Sequence, residues 1–180
     1  VVATIPGGII GFILDKYAEG ILTKPLIIAI ALIVMGIVLY IVDKKSKNKT
    51  DYENLNFKQT FLIGLSQSLA FIPGVSRSGI TMTTGRLLGV KREAAAKYSF
   101  MLSGPIVLAA TLFKLKDFIE YFLVADIIGI TAFIIGVLTS FIVGVFVIKF
   151  LLEFLRKGSF KIFAIYRIIL GMVVIIALIA

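Results

Sequence analysis

The sequence predicts an all-α, polytopic membrane protein, and three observations carry that prediction. Apolar residues make up 59% of the 180-residue chain, against roughly 45–50% in soluble domains. Several uninterrupted apolar runs approach the ~20 residues that a helix needs to cross a bilayer. The lysines and arginines, which give a net charge of +9, lie mostly between those runs, where such residues mark cytoplasmic loops. The charge therefore reads as topology; in a soluble domain it would have suggested nucleic acid, which is not expected here. The chain has no cysteine and no histidine. That removes a disulfide framework, a thiolate nucleophile and Cys-ligated metal, together with the commonest general acid/base. Chemistry falls to Ser, Thr, Arg, Lys, Asp or Glu.

The chain opens Val1-Val2-Ala3-Thr4, with no initiator Met, basic n-region or cleavage-site pattern, and reads as part of a longer sequence rather than a signal peptide. Residues 1–14 are apolar but too short to span, and Pro6-Gly7-Gly8 weaken a helix interior, so they are expected to be the tail of a span. Residues 15–24 form a loop of zero net charge, and Pro25 suits the first turn of the helix that follows. Residues 26–42 are a charge-free span. Residues 43–58 turn polar, with five lysines, and read as a loop. Residues 59–72 are helical in character but below spanning length, residues 73–80 break the helix, and residues 81–90 resume as a second short segment.

A helix is expected from Lys91 to Phe113, favoured by Ala94-Ala95-Ala96 and kinked at Gly104-Pro105. Residues 114–120 form a second neutral loop, with Asp126 at the interface. In the long span 124–148, Gly136, Ser140 and Gly144 give a small-residue stripe expected to serve close helix packing. Residues 149–161 are a basic loop and residues 162–180 the last span. The whole is expected to be a single transmembrane domain.

Counting charges turns these segments into a topology. The three regions 43–58, 86–97 and 149–161 carry five, four and four basic residues, whereas loops 15–24 and 114–120 carry two each. The positive-inside rule makes the first three cytoplasmic and the last two external. Regions 43–58 and 86–97 share a side only if residues 59–90 cross an even number of times. Two half-length helices around a polar loop satisfy this as a re-entrant hairpin, about 59–90, with residues 73–80 at its tip. Non-helical backbone at membrane depth is tolerated where protein buries it or it lines a cavity.

The tip, Pro73-Gly74-Val75-Ser76-Arg77-Ser78-Gly79-Ile80-Thr81, concentrates the chain's polar chemistry. An intramembrane arginine is a functional hypothesis by default, and the nearest acid that follows in sequence, Glu93, is well down the next segment. Gly74 and Gly79 allow close backbone approach, Ser76, Ser78 and Thr81 supply hydroxyls, and Arg77 offers a fork matched to phosphate oxygens. A half-helix starting here would aim its N–H groups at the same anion. Two other readings stay open from spacing alone: a Pro-Gly turn whose serines cap a helix while Arg77 snorkels, and a carrier or channel whose broken helix faces an anionic cargo. Gln67 either faces the cavity or makes an interhelical hydrogen bond. Arg167, in the last span, is expected to snorkel or pack against a helix end rather than bind substrate. Lys44 to Lys49 could attract anionic membrane lipids at about 1 kcal/mol each, although a plain loop explains them.

The run from Gly64-Leu65-Ser66-Gln67 through Pro73-Gly74-Val75-Ser76-Arg77-Ser78-Gly79-Ile80-Thr81, with Arg92-Glu93-Ala94-Ala95-Ala96-Lys97-Tyr98-Ser99-Phe100 and Tyr166-Arg167-Ile168-Ile169-Leu170-Gly171, resembles the undecaprenyl-diphosphatase family, also called bacitracin-resistance proteins. The resemblance implies a multi-pass protein of the bacterial inner (plasma) membrane. It implies removal of the terminal phosphate of a prenyl diphosphate lipid, undecaprenyl diphosphate, which recycles the carrier for peptidoglycan synthesis. It also implies two inverted repeats whose re-entrant loops meet in a cavity opening outward. Carried over by motif, Gly74, Ser76, Arg77, Ser78 and Thr81 would bind the diphosphate, with Arg77 and Ser76 catalytic. The family's other signature, a glutamate-rich segment and a Ser/His loop, has no counterpart in this chain. A divalent metal, magnesium or calcium, is therefore expected to find its ligands mainly outside these residues. The 180 residues alone are expected to bind diphosphate weakly and hydrolyse it negligibly. Metal identity, proton donor, oligomeric state and prenyl length are left open by the sequence.

Overall fold

A computed structural model describes residues 22–124 and 127–179. The expected span tail at 1–14, most of the loop 15–24, and Asp126 lie outside the described residues. The described chain is helical, with one backbone bridge between Thr50 and Val90. Its elements are α1 (Pro25–Lys45), a short 3-10 turn (Tyr52–Asn54), α2 (Phe57–Ser66) running into a 3-10 segment (Gln67–Phe71), α3 (Arg77–Leu87), α4 (Arg92–Phe113), α5 (Leu115–Val124), α6 (Ile127–Lys157) and α7 (Lys161–Ile179). Four of these, α1, α4, α6 and α7, are long and apolar enough to cross a membrane. The expected all-α, multi-pass architecture is what the structure shows.

Helices α1 and α7 lie antiparallel and form the most extensive helix pair among the described residues. A Cβ on Gly36 would come within 3.0 Å of the Ala164 carbonyl oxygen, and one on Gly171 within 2.7 Å of that of Ala29. Ala29 and Ala164 are themselves buried. Small residues bring two apolar helices into contact where no water is expelled to drive them together. The expected stripe on α6 has no such partner among the described residues, where nothing lies within 4 Å of a Cβ built on Gly136 or Gly144. The small-residue seam that these residues do form joins α1 and α7.

The base of the bundle is tied by a buried carboxylate. Asp43, at the end of α1, accepts from Arg86 Nε at 2.9 Å, from Arg92 Nε at 2.8 Å and from the Phe160 backbone N–H at 3.1 Å. Arg86 is fully buried and also donates to Asn48 Oδ1 and to the Val90 carbonyl. One acid thus gathers the ends of α1 and α3 with the starts of α4 and α7. Around it pack Leu39, Met82, Ala96, Leu155 and Phe160 from five segments. The three basic regions picked out by charge counting therefore lie at one end of the bundle.

Residues 57–88 leave this end and come back to it. Asn56 and Gln59 form a reciprocal capping box that starts α2, with hydrogen bonds of 2.8 and 3.0 Å. Helix α3 stops at Gly89, whose φ of +84° suits a left-handed cap. The Val90 N–H reaches the Gly85 carbonyl and the Gly89 N–H that of Arg86, the Schellman pattern. Thr50 and Lys49 N–H groups then bond to Gly89, and the Lys91 N–H to Thr50, so the segments before α2 and after α3 are stitched together.

Two expected loops are helices. Residues 115–124 form α5, whose Phe118 and Phe122 rings meet Phe133 of α6 at centroid distances of 5.1 and 5.3 Å. Helix α6 runs 31 residues, through most of the predicted basic loop 149–161. Its Leu151, Leu152 and Leu155 face the core while Lys149, Glu153, Arg156 and Lys157 do not contribute to it. The charges decorate one face of a continuing helix. Helix α4 is continuous through Gly104 and Pro105.

Candidate functional site: an anion cradle at the α2–α3 turn

The turn that reverses the hairpin is built by hydrogen bonds from the Ile72 N–H to Leu69 and from the Val75 N–H to Ile72. It then needs two unusual backbone conformations, Gly74 at φ +93° and Ser76 at φ +68°. Positive φ is costly for a residue with a Cβ and persists only where the surroundings impose it. Ser76 is the N-cap of α3: its Oγ accepts from the Gly79 N–H at 3.2 Å and its carbonyl from the Ile80 N–H at 2.9 Å. The N–H groups of Ser76, Arg77 and Ser78 have no acceptor among the described residues. They are consecutive donors at a helix N-terminus, the arrangement that receives anions.

The side chains agree with the backbone. Ser76 is exposed, Arg77 and Ser78 are half-buried. Neither the Arg77 guanidinium nor the Ser78 hydroxyl has a hydrogen-bond or ion-pair partner among the described residues. The Ser76 hydroxyl proton is free to be donated, because its bond to Gly79 uses only a lone pair. Three amides, two hydroxyls and one guanidinium thus belong to three consecutive residues of the turn, with no carboxylate bonded to them among the described residues.

Other residues singled out in the motif lie behind this surface. Gly74 is pressed against α1, where a Cβ would meet the Ile28 carbonyl oxygen at 2.6 Å and Ala31 Cβ at 3.1 Å; its need is close helix approach as well as positive φ. Thr81, expected to touch phosphate, is buried, with its hydroxyl 2.7 Å from Ser99 Oγ on α4 and bonded to the Arg77 carbonyl at 3.0 Å. It sits one turn deeper than the cradle, where α4 covers α3. Gln67 is buried on the 3-10 segment with Oε1 lacking a partner among the described residues, so that oxygen makes no interhelical bond.

Of the two expected alternatives for Arg167, snorkelling is not seen and packing against a helix end is: the end is the start of α3. Arg167 is buried, and its Nη2 donates to the carbonyls of Gly74 at 2.6 Å and Val75 at 2.8 Å. Its Nη1 would be 2.7 Å from a Cβ on Gly79. Gly79 therefore makes room for a guanidinium inside the protein. The available signal was a lone arginine within an apolar run of spanning length; nothing in its spacing identified the loop it meets.

The donor set does not suit a divalent cation. No cluster of three or more carboxylate, imidazole or thiolate side chains occurs among the described residues, and the turn offers hydrogen-bond donors and positive charge. Hard cations require several oxygen acceptors.

Gly74 lies against α1 about three to four turns from Asp43, roughly 20 Å at 1.5 Å per residue. The cradle is thus held well away from the basic end of the bundle, towards the end where α1 begins.

Comparison with known proteins gives this geometry a family. The profile described as Bacitracin resistance protein BacA matches residues 1–173. A protein of Pelotomaculum thermopropionicum named undecaprenyl-diphosphatase is 48% identical over 176 residues, 98% of this chain and 64% of its own length. Proteins of the same name from Moorella thermoacetica and Caldicellulosiruptor bescii are 45% and 47% identical, each over 97% of this chain and 65% of their own. The chain thus spans 64–65% of the length of these relatives. With a profile match across nearly its whole length, the chain belongs to the bacitracin resistance protein BacA family.

Proposed function

We propose that this chain supplies the phosphate-binding part of an undecaprenyl-diphosphate phosphatase. The enzyme hydrolyses the terminal phosphate of the prenyl diphosphate lipid in the bacterial plasma membrane and returns the carrier to peptidoglycan synthesis. The observation that carries the proposal is the set of three consecutive N–H groups, at Ser76, Arg77 and Ser78, that have no acceptor among the described residues, beside an Arg77 guanidinium equally without a partner there.

In this reading the α2–α3 pair is a re-entrant hairpin. Helices of 10 and 11 residues are about 15 Å long, half of a ~30 Å hydrocarbon core. The three basic regions face the cytoplasm, and the cradle opens towards the outside. The terminal phosphate is received by the three amides, with Ser76 and Ser78 donating hydroxyl protons and Arg77 spanning two oxygens bidentately. As water attacks the terminal phosphorus and the bridging P–O bond breaks, charge spreads over the equatorial oxygens, and prenyl monophosphate leaves. Donors fixed at those positions beforehand lower the barrier. Ser76 acts as a donor in this reading, its Oγ accepting from the Gly79 N–H and leaving its proton free for the phosphate. The general base and the ligands of a divalent metal, magnesium or calcium, belong to residues outside this set.

Phosphate release from the lipid diphosphate by the full-length protein tests the assignment. Arg77→Ala is expected to slow turnover by ~10²–10³-fold, and Arg77→Lys to recover only part of it, because an ammonium cannot span two oxygens. Unchanged turnover removes Arg77 from the site. Movement of the lipid across the bilayer without hydrolysis would favour a carrier.

A further inference from the structure

We propose that Arg167 is the positioning residue of the anion cradle: it sets the direction of the donor peptide bonds and places a second, uncompensated positive charge behind them. The inference rests on the reading of the turn as a phosphate site.

The first half follows from peptide geometry. In a trans peptide the C=O and N–H point in opposite directions, and the described chain contains no cis bond. The Val75 carbonyl is held inward by Arg167 Nη2 at 2.8 Å. The Ser76 N–H of the same peptide must then point outward, to the exposed side of the turn. The neighbouring Gly74 carbonyl is held by the same nitrogen at 2.6 Å. Two successive carbonyls fixed on one side force the backbone between them and α3 into the positive φ that Ser76 adopts, +68°. Without the clamp, Ser76 would relax towards negative φ and its N–H would leave the cradle.

The second half follows from charge. Arg167 contacts two neutral carbonyls and no carboxylate among the described residues. A neutral amide would satisfy those carbonyls at far lower cost than an arginine inside a membrane-spanning helix. Nε is buried with no partner among the described residues, and Nη1 lies against the inner side of Gly79, next to Ser76. Arg77 on the outer side is equally unpaired. Two guanidiniums flanking one turn, neither with a carboxylate partner among the described residues, repel each other until an anion lies between their fields. A diphosphate head carries the charge that relieves this, and a neutral headgroup does not.

Inorganic pyrophosphate, a head without a tail, is the probe, used as a competitive inhibitor of the full-length protein with thermal melting recorded in parallel. Its inhibition constant does not depend on how much of a preparation is folded, so loss of fold alone leaves it at the wild-type value. Arg167→Gln, which keeps a donor and removes the charge, is expected to raise that constant ~10-fold or more and lower kcat by ~10²-fold. Arg167→Lys should restore part of both. Gly79→Ala, which crowds Nη1 while leaving Arg167 in place, should shift the constant in the same direction and stands in if the Gln variant does not fold. Arg77→Ala separates the two levels of the argument. If Arg77→Ala leaves pyrophosphate inhibition unchanged, the phosphate site itself is wrong. If Arg77→Ala weakens it but Arg167→Gln and Gly79→Ala do not, only the positioning role is overturned.

Discussion

At the scale of single residues, the turn shows how backbone strain and chemistry share positions. Gly74→Ala places a Cβ 2.6 Å from a carbonyl oxygen of α1 at a φ of +93°, so it is expected to cost ~1–3 kcal/mol and to reduce phosphate release together with melting temperature. Ser76→Gly should separate those two readouts. Glycine accepts positive φ freely and costs only a few tenths of a kcal/mol as an N-cap; melting is therefore expected to hold or rise while phosphate release falls with the lost hydroxyl. Thr81→Val leaves the buried Ser99 hydroxyl without its 2.7 Å partner and should cost ~1–3 kcal/mol, with pyrophosphate inhibition unchanged; weakened inhibition would return Thr81 to the phosphate shell. Much of this site was legible in the chain. Serine, arginine and glycine in one short run between apolar segments pointed to the turn whose donors the structure leaves unpaired among the described residues. What could not be read was depth. Thr81 sits one helical turn beyond the N-cap, and whether that turn is open or covered depends on α4, brought there by contacts distant in sequence. Arg167 was hidden for the same reason, since its partners in the turn are more than ninety residues away.

At the scale of elements, charge was informative about position and misleading about conformation. Counting basic residues placed three regions on one side, and Asp43 physically joins the structures they border. The same polarity made 114–120 and 149–161 read as loops, although 115–120 lies in α5 and 149–157 in α6, with the charges on one face of each helix; periodicity rather than average polarity held that information. Asp43→Ala leaves Arg86 buried and unpaired, and should destabilise the fold by ~3–5 kcal/mol, read as a fall in melting temperature in detergent. Gly171→Leu drives a side chain into α1, where even a Cβ would be 2.6 Å from Ile33 Cγ1, and is expected to cost at least ~1–3 kcal/mol. A seam of glycine and alanine is visible in sequence only as composition; which of several glycine-bearing helices uses it is decided by the partner.

At the scale of the whole molecule, the described residues present donors and charge for an anion but no group of three or more carboxylates placed to hold a metal, and the chain spans 64–65% of the length of its relatives. Purified alone, the 180 residues are expected to release negligible phosphate from the lipid diphosphate, in contrast to the full-length protein; robust release by the chain alone would refute this division of labour. Its lack of cysteine makes sidedness directly measurable. Single cysteines at positions 47, 97 and 157 should react with an impermeant maleimide from one face of the membrane, and one at position 116 from the other. The stitch between Thr50 and Val90 has a consequence for how such a protein can change over time. A segment whose two ends are bonded to each other contributes no net displacement across the bilayer, however deep its tip reaches. Everything between those residues can be lengthened, shortened or exchanged with a relative's counterpart without inverting α4, α6 or α7. The segment proposed to bind phosphate is the one whose redesign leaves the orientation of every other helix untouched.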